Sequence, residues 1–257
     1  MFIIFYQRIV IVLVLLFFSV TCFADDSSSY ISKLKDTRQG EHKFSLDVIY
    51  YHEYEKSYLL DDLVSRTNTI ENVFTSSIDS KTDFSIDVPF KYITYSEGSL
   101  TGFDDIGFYL TRTIYENNGW ALYISPEIYI PNGNYQYGIG NGKVDYGVFI
   151  SGSKKIGRLT NYFSAEFFRN ENKVGSNVNI WKLGVYPEYK INDKVSVFVG
   201  ARVQQDTSVL NPHKPFFASC GLGYIVNKYL IVTPSFEQGF SEPERDLTYY
   251  LTFSFSL

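Results

Sequence analysis

Acidic and basic side chains recur at alternate positions inside apolar stretches of this sequence. Glu127, Glu166, Lys182 and Arg202 each stand between two apolar neighbours. An extended backbone sends alternate side chains to opposite faces, so these charges would collect on one face. Charges gathered in this way either fill an interior with ion pairs or line a selective pore, and the sequence leaves both alternatives open. The full set predicted to point inward is Asp47, Glu71, Asp87, Lys91, Asp105, Glu127, Glu166, Lys182, Arg202 and Glu237.

A glycine-rich segment, "PNGNYQYGIGNGK" at 131–143, is the second candidate for chemistry. Its glycines allow a tight surface loop, which requires no ligand. Alternatively, the segment dips into the interior as a constriction or gate. In that case Tyr135 and Tyr137 would offer aromatic contacts to a solute. The gate hypothesis combines these two tyrosines with the predicted inward residues Asp105, Glu127, Glu166, Lys182 and Arg202.

Nucleophilic catalysis finds little support in the sequence. The chain has three histidines, and only His52 falls inside a predicted strand near its end, because His42 precedes the strands and His213 lies in a loop. A hydrolase needs a base next to its nucleophile, and no serine motif accompanies His52. No cluster of cysteine and histidine suggests zinc. We therefore expect no catalytic residues, no cofactor and no metal.

Composition favours an all-β protein. The 257 residues include 22 Tyr, 22 Phe and 18 Gly, which favour strands and turns. The formal net charge is −5, and no basic stripe is present, so we expect no nucleic-acid partner.

Residues 1–24 are typical of a secretory signal peptide. A single cation, Arg8, precedes an apolar run that is shorter than the roughly 20 residues needed for a bilayer helix, and Ala24 suits cleavage. Cleavage would leave Cys220 as the only cysteine, which excludes an intramolecular disulfide. Residues 25–42 would then form a periplasmic N-terminal segment.

Alternating apolar and polar residues predict about twelve strands, each close to the roughly ten residues of a tilted membrane strand. The predicted strands are 43–54, 67–78, 83–95, 103–115, 119–130, 143–154, 159–169, 179–190, 194–204, 216–226, 229–239 and 248–257. Five short connections alternate with six longer ones, at 55–66, 96–102, 131–142, 170–178, 205–215 and 240–247. Short periplasmic turns alternating with long external loops are typical of a transmembrane antiparallel β-barrel. We therefore predict such a barrel over residues 43–257.

The terminal stretch "LTYYLTFSFSL" is a complete amphipathic strand. A barrel in lipid cannot leave an open edge, so we expect this strand to pair with the first one. Outer-membrane proteins carry a terminal strand of this kind as the signal for their assembly machinery. The predicted partners are therefore the outer-membrane bilayer, the assembly machinery and a small solute.

Several short motifs carry a family resemblance. They are Gly102-Phe103-Asp104-Asp105-Ile106, Pro131-Asn132-Gly133, Gly138-Ile139-Gly140 and Asp145-Tyr146. In these motifs the chain, over roughly residues 80–257, resembles the outer-membrane family of the MetA-pathway of phenol degradation. The resemblance implies a transporter barrel in the bacterial outer membrane that takes up small hydrophobic or aromatic molecules.

Three functions remain as hypotheses. The first is a channel for passive uptake of small hydrophobic or aromatic solutes. The second is a structural or adhesion barrel with a plugged lumen and external loops that bind a partner. The third is an outer-membrane lipid-modifying enzyme that uses His52.

Overall fold

The chain folds into a β-barrel. The computed structural model describes residues 44–56, 64–95, 98–133, 139–140, 142–170, 178–205, 214–240 and 247–256. Its thirteen strands are β1 (Phe44–Lys56), β2 (Val64–Asp79), β3 (Thr82–Tyr95), β4 (Gly98–Phe103), β5 (Ile106–Asn117), β6 (Trp120–Ile130), β7 (Asp145–Ile156), β8 (Leu159–Arg169), β9 (Asn179–Lys190), β10 (Val195–Gln204), β11 (Phe216–Asn227), β12 (Leu230–Gly239) and β13 (Leu247–Ser256). No helix within these ranges is long and apolar enough to cross a membrane.

Antiparallel pairing closes the sheet on itself. β1 pairs with both β2 and β13, and Ser45 lies opposite Ser256. β4 and β5 both pair with β3, so they act as one interrupted strand. The barrel therefore has twelve strand positions, which we call staves. Among the described strands, closure pairs every strand except the short β4 on both sides, so the bilayer core meets no full-length open edge, whose backbone groups it could not satisfy. The predicted twelve-stranded antiparallel barrel is confirmed.

Side-chain alternation separates the two faces of each strand. In β6, Tyr123, Ser125 and Glu127 are buried, whereas Trp120 and Ile128 are exposed. The exposed face carries large apolar side chains around the barrel, such as Leu183 and Val199. A continuous apolar outer wall is the surface that lipid covers. Aromatic residues near strand ends are exposed on this wall, as in the aromatic girdles of membrane barrels: Tyr50, Tyr92, Phe103, Trp120, Tyr189 and Phe240.

Tight turns join the strands at one end of the barrel. Asn118 and Gly119 have φ values of 49° and 74°, which a two-residue type I′ hairpin requires. In the turn between β9 and β10, Lys190 Nζ lies 3.0 Å from Asp193 Oδ1. This hydrogen bond holds the pKa of the Asp193 carboxyl below its usual range. The other end of the barrel carries the longer connections.

The structure differs from the sequence prediction at the start of the fourth stave. The alternation predicts a loop at 96–102, yet residues 98–103 form β4. Phe103 lies opposite Phe90, and Gly107 lies opposite Asp87. Between these two pairs the chain has three residues, 104–106, where β3 has only two, 88 and 89. This is a β-bulge, and it reverses the direction of the following side chains.

Pro89 lies opposite this bulge. Its carbonyl oxygen accepts a hydrogen bond from the Asp104 N–H at 2.9 Å. Proline has no N–H to donate, so a bulge is one of the few places where a paired strand tolerates it.

Glycines on the inner wall leave room for aromatic rings. The Tyr186 ring lies over Gly184 and Gly200, and the Phe198 ring lies over Gly221. A Cβ at Gly184 would come within 2.7 Å of Tyr186 Cε2. Tyr162, Tyr186 and Phe198 together form a buried cluster. The rings therefore lie flat along the wall.

Gly200→Ala is expected to destabilise the barrel by about 1–3 kcal/mol, because the added methyl group meets the Tyr186 ring and overpacks the wall. Denaturant unfolding in detergent micelles measures this loss. Gly98→Ala is the matched control, since a Cβ there has no neighbour within 4 Å. Equal losses in both variants would contradict the packing of Tyr186 on Gly200.

Candidate functional site

The charged side chains lie inside the barrel at neighbouring levels. Ile49 faces Glu71 across β1 and β2, and Asp87 faces Gly107 across β3 and β5. Glu127 in turn faces Tyr109, two residues from Gly107. Glu71 also faces Pro89, two residues from Asp87, so the charged positions of neighbouring strands differ by about two residues in height. We call the buried carboxylates of the described inner face the inner acidic wall; they are Asp47, Glu71, Asp87, Asp105, Glu127, Asp145, Glu188 and Glu237.

Two tyrosines bridge two of these carboxylates. The Tyr109 hydroxyl donates to Asp87 Oδ2 at 3.2 Å, and the Tyr129 hydroxyl donates to Glu127 Oε2 at 3.2 Å. The two phenol oxygens also lie 3.2 Å apart. Their rings meet edge to face with centroids 5.8 Å apart, and Tyr129 meets Phe168 in the same way at 5.3 Å. The carboxylates therefore fix the orientation of an aromatic surface.

Arg202 and Glu237 form a buried ion pair. Arg202 Nη2 lies 2.8 Å from Glu237 Oε1, and the side chains are 2% and 1% exposed. The guanidinium also contacts Gln204 Oε1 and lies over the Phe217 ring, 4.1 Å from its centroid. Burial of both charges, a hydrogen-bonded carboxylate and an aromatic face make this a rigid part of the wall.

Two more ion pairs involve the remaining predicted inward cations. Lys182 Nζ lies 3.3 Å from Glu166 Oε1, and Lys91 contacts Asp104. β9 and β10, which carry Lys182 and Arg202, lie five or six staves from β2 and β3, on the opposite side of the barrel. Glu71 and Asp87 on β2 and β3 therefore line the side of the barrel opposite the two cations.

Asp105 holds both ends of the glycine-rich connection between β6 and β7. Its Oδ1 accepts hydrogen bonds from the backbone N–H groups of Asn132 at 3.2 Å and Gly133 at 3.3 Å. Gly140, with φ 77°, packs so closely against this carboxylate that a Cβ would overlap it. The bulge between β4 and β5 directs Asp105 to this position.

Ile139 shows where this connection lies. Its side chain is 3% exposed, and a Cβ built at Gly102 would lie 3.4 Å from Ile139 Cδ1. An apolar side chain buried against β4 draws this end of the connection onto the barrel. Tyr135 and Tyr137, the predicted gate tyrosines, lie outside the described residues.

All five predicted lumen residues, Asp105, Glu127, Glu166, Lys182 and Arg202, point inward, but the structure brings them together only in part. Glu166 pairs with Lys182, whereas Arg202 pairs with Glu237 and Asp105 holds the connection. Tyr109 and Ile139 were not among the predicted site residues. Tyr109 follows Asp105 and Gly107 at every second position, so the alternation in the sequence already indicates that its side chain points inward.

His52 lies on β1 at the outer wall. Its Nδ1 is 2.9 Å from Asn68 Oδ1, which also accepts a hydrogen bond from the Tyr50 hydroxyl at 2.8 Å. The strand register places Asn68 and Tyr249 beside His52, and neither is a serine. In the described ranges no group of three His, Cys, Asp or Glu side chains could hold a metal ion.

Solved structures with a similar fold include outer-membrane channels and porins, and also the translocator domains of autotransporters. An outer-membrane channel from Pseudomonas putida F1 superposes with a TM-score of 0.73 at 10% identity, covering 84% of this chain and 96% of that chain. The NanC porin gives 0.57 at 10% identity, covering 82% and 100%. The CymD monoaromatic hydrocarbon channel gives 0.55 at 9% identity, covering 86% and 90%. At such identities these likenesses show the fold.

Sequence comparison identifies the family. Comparison with curated protein sequences finds no match. A family model described as "Putative MetA-pathway of phenol degradation" matches residues 45–257, which is the whole barrel. A closed barrel with an apolar outer wall places the protein in the bacterial outer membrane. The chain belongs to the MetA-pathway of phenol degradation family of outer-membrane barrels.

Proposed function

We propose that this protein is an outer-membrane channel for passive uptake of small hydrophobic or aromatic solutes, and that it has no enzymatic activity. The observation that carries the proposal is the fixed aromatic surface of Tyr109, Tyr129 and Phe168 on the inner wall of a closed barrel. Tyr109 is buried behind this surface, whereas the partly exposed rings of Tyr129 and Phe168 can contact a planar solute. The surrounding oxygens can accept a hydrogen bond from a phenolic hydroxyl. Family membership and the fold of known channels support the same function.

A plugged structural or adhesion barrel is the second candidate. One observation favours it: the charged side chains of Asp47, Arg202 and Glu237 on the inner face are almost fully buried. Ion pairs with so little exposure belong to a packed interior. The two functions differ in one property, because a channel passes solutes and a plugged barrel does not.

A lipid-modifying enzyme is the weakest candidate. His52 bonds to Asn68, but the neighbouring outward position across β13 is Tyr249, which is not an activated nucleophile. His52→Ala should therefore change no hydrolysis of phospholipid by the reconstituted protein. The assembly machinery remains the proposed partner of β13, whose pairing with β1 completes the barrel.

Flux through reconstituted protein tests the channel function. Liposomes containing the protein are compared with protein-free liposomes for uptake of phenol and of glucose. We expect protein-dependent uptake of phenol to exceed that of glucose. Equal uptake would indicate a general porin, and no uptake of either solute would favour the plugged barrel. Val199→Leu, on the outer wall, is a control that should leave both fluxes unchanged.

Asp105→Ala is expected to increase single-channel conductance. The substitution removes the acceptor that holds Asn132 and Gly133, so the connection between β6 and β7 is released from the barrel mouth. Planar bilayer recording measures the change. Asp104→Ala is the matched control, because this neighbouring carboxylate contacts Lys91 and the Asp105 N–H, and not the N–H groups of Asn132 and Gly133. Unchanged conductance in Asp105→Ala would mean that the connection does not narrow the pathway.

A further inference from the structure

Basic side chains collect at three neighbouring tight turns of the barrel, which join β7 to β8, β9 to β10 and β11 to β12. We call their six cations the basic arc: Lys154, Lys155, Arg158, Lys190, Lys194 and Lys228. Asp193 is the one exposed carboxylate in these turns, all of which lie within the described part of the chain. Glu188, near the end of β9, is buried on the inner face and accepts a hydrogen bond from the Tyr162 hydroxyl at 3.1 Å. The rim of the barrel is therefore basic at these turns.

Hydrogen bonds join the three turns into one continuous rim. The Lys190 N–H donates to the Arg158 carbonyl oxygen at 2.9 Å, and the Ile225 N–H donates to the Lys194 carbonyl oxygen at 2.8 Å. The Arg158 guanidinium also reaches the next turn, where Nη1 donates to the Ile191 carbonyl oxygen at 3.1 Å. Because the backbone of each turn is held by its neighbour, the cations of the basic arc keep a fixed spacing.

The charges of the basic arc are largely open to an external partner. Lys190 Nζ lies 3.0 Å from Asp193 Oδ1, and Lys154 Nζ donates to the Asn118 carbonyl oxygen at 2.8 Å. Lys155 and Lys194 are exposed and form no ion pair with a described residue. A single exposed carboxylate cannot balance the arc, so an anion that approaches the rim meets several uncompensated cations.

Lipid covers the outer wall down to this rim. Ile156 is exposed on the outer face beside the turn between β7 and β8. Trp120 lies opposite Lys154, whose Nζ is 5.1 Å from the centroid of the indole ring, and Lys228 Nζ is 4.5 Å from the centroid of the Tyr229 ring. Aromatic rings with an apolar body and a polar edge mark the boundary between hydrocarbon and headgroups. The basic arc therefore lies at the level of the headgroups.

The other two tight turns at this end are not basic. Lys81 lies between Asp79 and Asp83 in the turn that joins β2 to β3. The turn that joins β5 to β6 contains Glu116 and no lysine or arginine. The basic arc thus occupies one side of the rim.

From this arrangement we infer that the basic arc binds the headgroups of anionic phospholipids and enriches these lipids on one side of the barrel. The tight turns of outer-membrane barrels lie on the periplasmic side, so the lipids belong to the periplasmic leaflet. Ammonium and guanidinium groups donate hydrogen bonds to phosphate oxygens, and clustered cations next to a membrane attract anionic lipids. A zwitterionic phospholipid carries its own cation, which the arc repels. The inference does not depend on whether the lumen conducts.

Tryptophan quenching by brominated lipids tests this enrichment. The chain has two tryptophans, and Trp181→Phe leaves Trp120, beside the basic arc, as the reporter. The full chain is reconstituted in phosphatidylcholine vesicles that contain a minor fraction of either brominated phosphatidylglycerol or brominated phosphatidylcholine. Bromine quenches a tryptophan only at close range, so the two quenching levels give the binding constant of the anionic lipid relative to the zwitterionic one.

We expect this relative binding constant to be severalfold above one at about 0.1 M salt, where the screening length is about 10 Å. It should fall toward one near 1 M salt, where the screening length drops to about 3 Å. Equal quenching by the two lipids at low salt would overturn the inference and leave the arc open to a soluble acidic partner.

Charge removal identifies the groups responsible. Lys154 stays in place, because it contacts the reporter Trp120. The quadruple variant carries Lys155→Gln, Arg158→Gln, Lys190→Gln and Lys194→Gln, all at exposed positions. We expect its relative binding constant to fall toward one, and an unchanged value would contradict the inference. Lys81→Gln is the matched control, since this lysine lies at the same rim between two carboxylates, and it should keep the wild-type value.

Two further comparisons complete the test. Lipid bromine quenches Trp120 only in an inserted barrel, so the same recordings report insertion. If the quadruple variant does not insert, the salt dependence of the wild-type value decides the question. Soluble glycerol phosphate, added on both sides of the membrane, should leave the quenching by brominated phosphatidylglycerol unchanged. Displacement of the lipid by this soluble ester would mean that the arc binds free phosphate esters, and it would overturn the assignment to lipid.

Discussion

Glu237→Ala is expected to lower the free energy of unfolding by about 3–5 kcal/mol. The reason is the position of its partner. Arg202 is 2% exposed, so its guanidinium keeps its charge in the interior after its carboxylate is removed. Desolvation is costly for a charge that has lost its counter-charge. Urea unfolding of the barrel in detergent micelles measures the loss.

A double variant separates the charge from the packing. Arg202→Met with Glu237→Leu removes both charges and retains apolar volume, and it should recover most of the lost stability. The exposed pair of Lys190 and Asp193 provides the control, because Asp193→Ala should leave the unfolding midpoint unchanged. A small effect of Glu237→Ala would mean that water reaches Arg202 in the folded protein.

Leu183→Arg is expected to destabilise the barrel by about 2–4 kcal/mol in a lipid bilayer, because a charge near the middle of the outer wall must enter hydrocarbon. Leu183 lies within β9, and its side chain is 49% exposed on the face that lipid covers. Unfolding in liposomes by guanidinium chloride measures the change. Depth provides the control. Ile156→Arg is also outward but lies beside a turn, where the cost should fall to about 0–1 kcal/mol.

An arginine substitution on the inner face should affect the protein differently from one on the outer face. Ser196→Arg points a charge into the lumen and should alter conductance more than stability. Equal destabilisation by Leu183→Arg and Ser196→Arg would contradict the assignment of the two faces. Gly184, although inward, is unsuitable for this comparison, because any side chain there meets the Tyr186 ring.

Most of the barrel could be predicted from the sequence, because every strand must alternate between lipid and lumen. The alternation predicts the inward direction of Glu127, Lys182 and Arg202 directly. It fails between Gly102 and Asp105, where one extra residue in the bulge shifts the period of two. A pattern at fixed spacing cannot locate an inserted residue, so it predicts a loop where β4 lies.

The candidate site was harder to predict, because its contacts depend on strand register. Arg202 and Glu237 lie on β10 and β12, with β11 between them, and no local pattern pairs them. The contact between Tyr109 and Tyr129 likewise requires the register of β5 on β6. Asp105 was predicted to be inward, but its role in holding Asn132 and Gly133 became visible only once the connection was placed.

The pairing of β1 with β13 also determines the order in which the barrel can form. Most other neighbouring strands are consecutive hairpins, whose contacts lie close along the chain, whereas Ser45 meets Ser256 across nearly the whole chain. Closing so long a loop costs chain entropy before the new contacts compensate for it, which makes it slow. The hairpins should therefore form first, and β1 should pair with β13 late. A substitution that weakens this pairing, such as Tyr250→Gly, would slow the closure of the barrel and leave early hairpin formation unchanged.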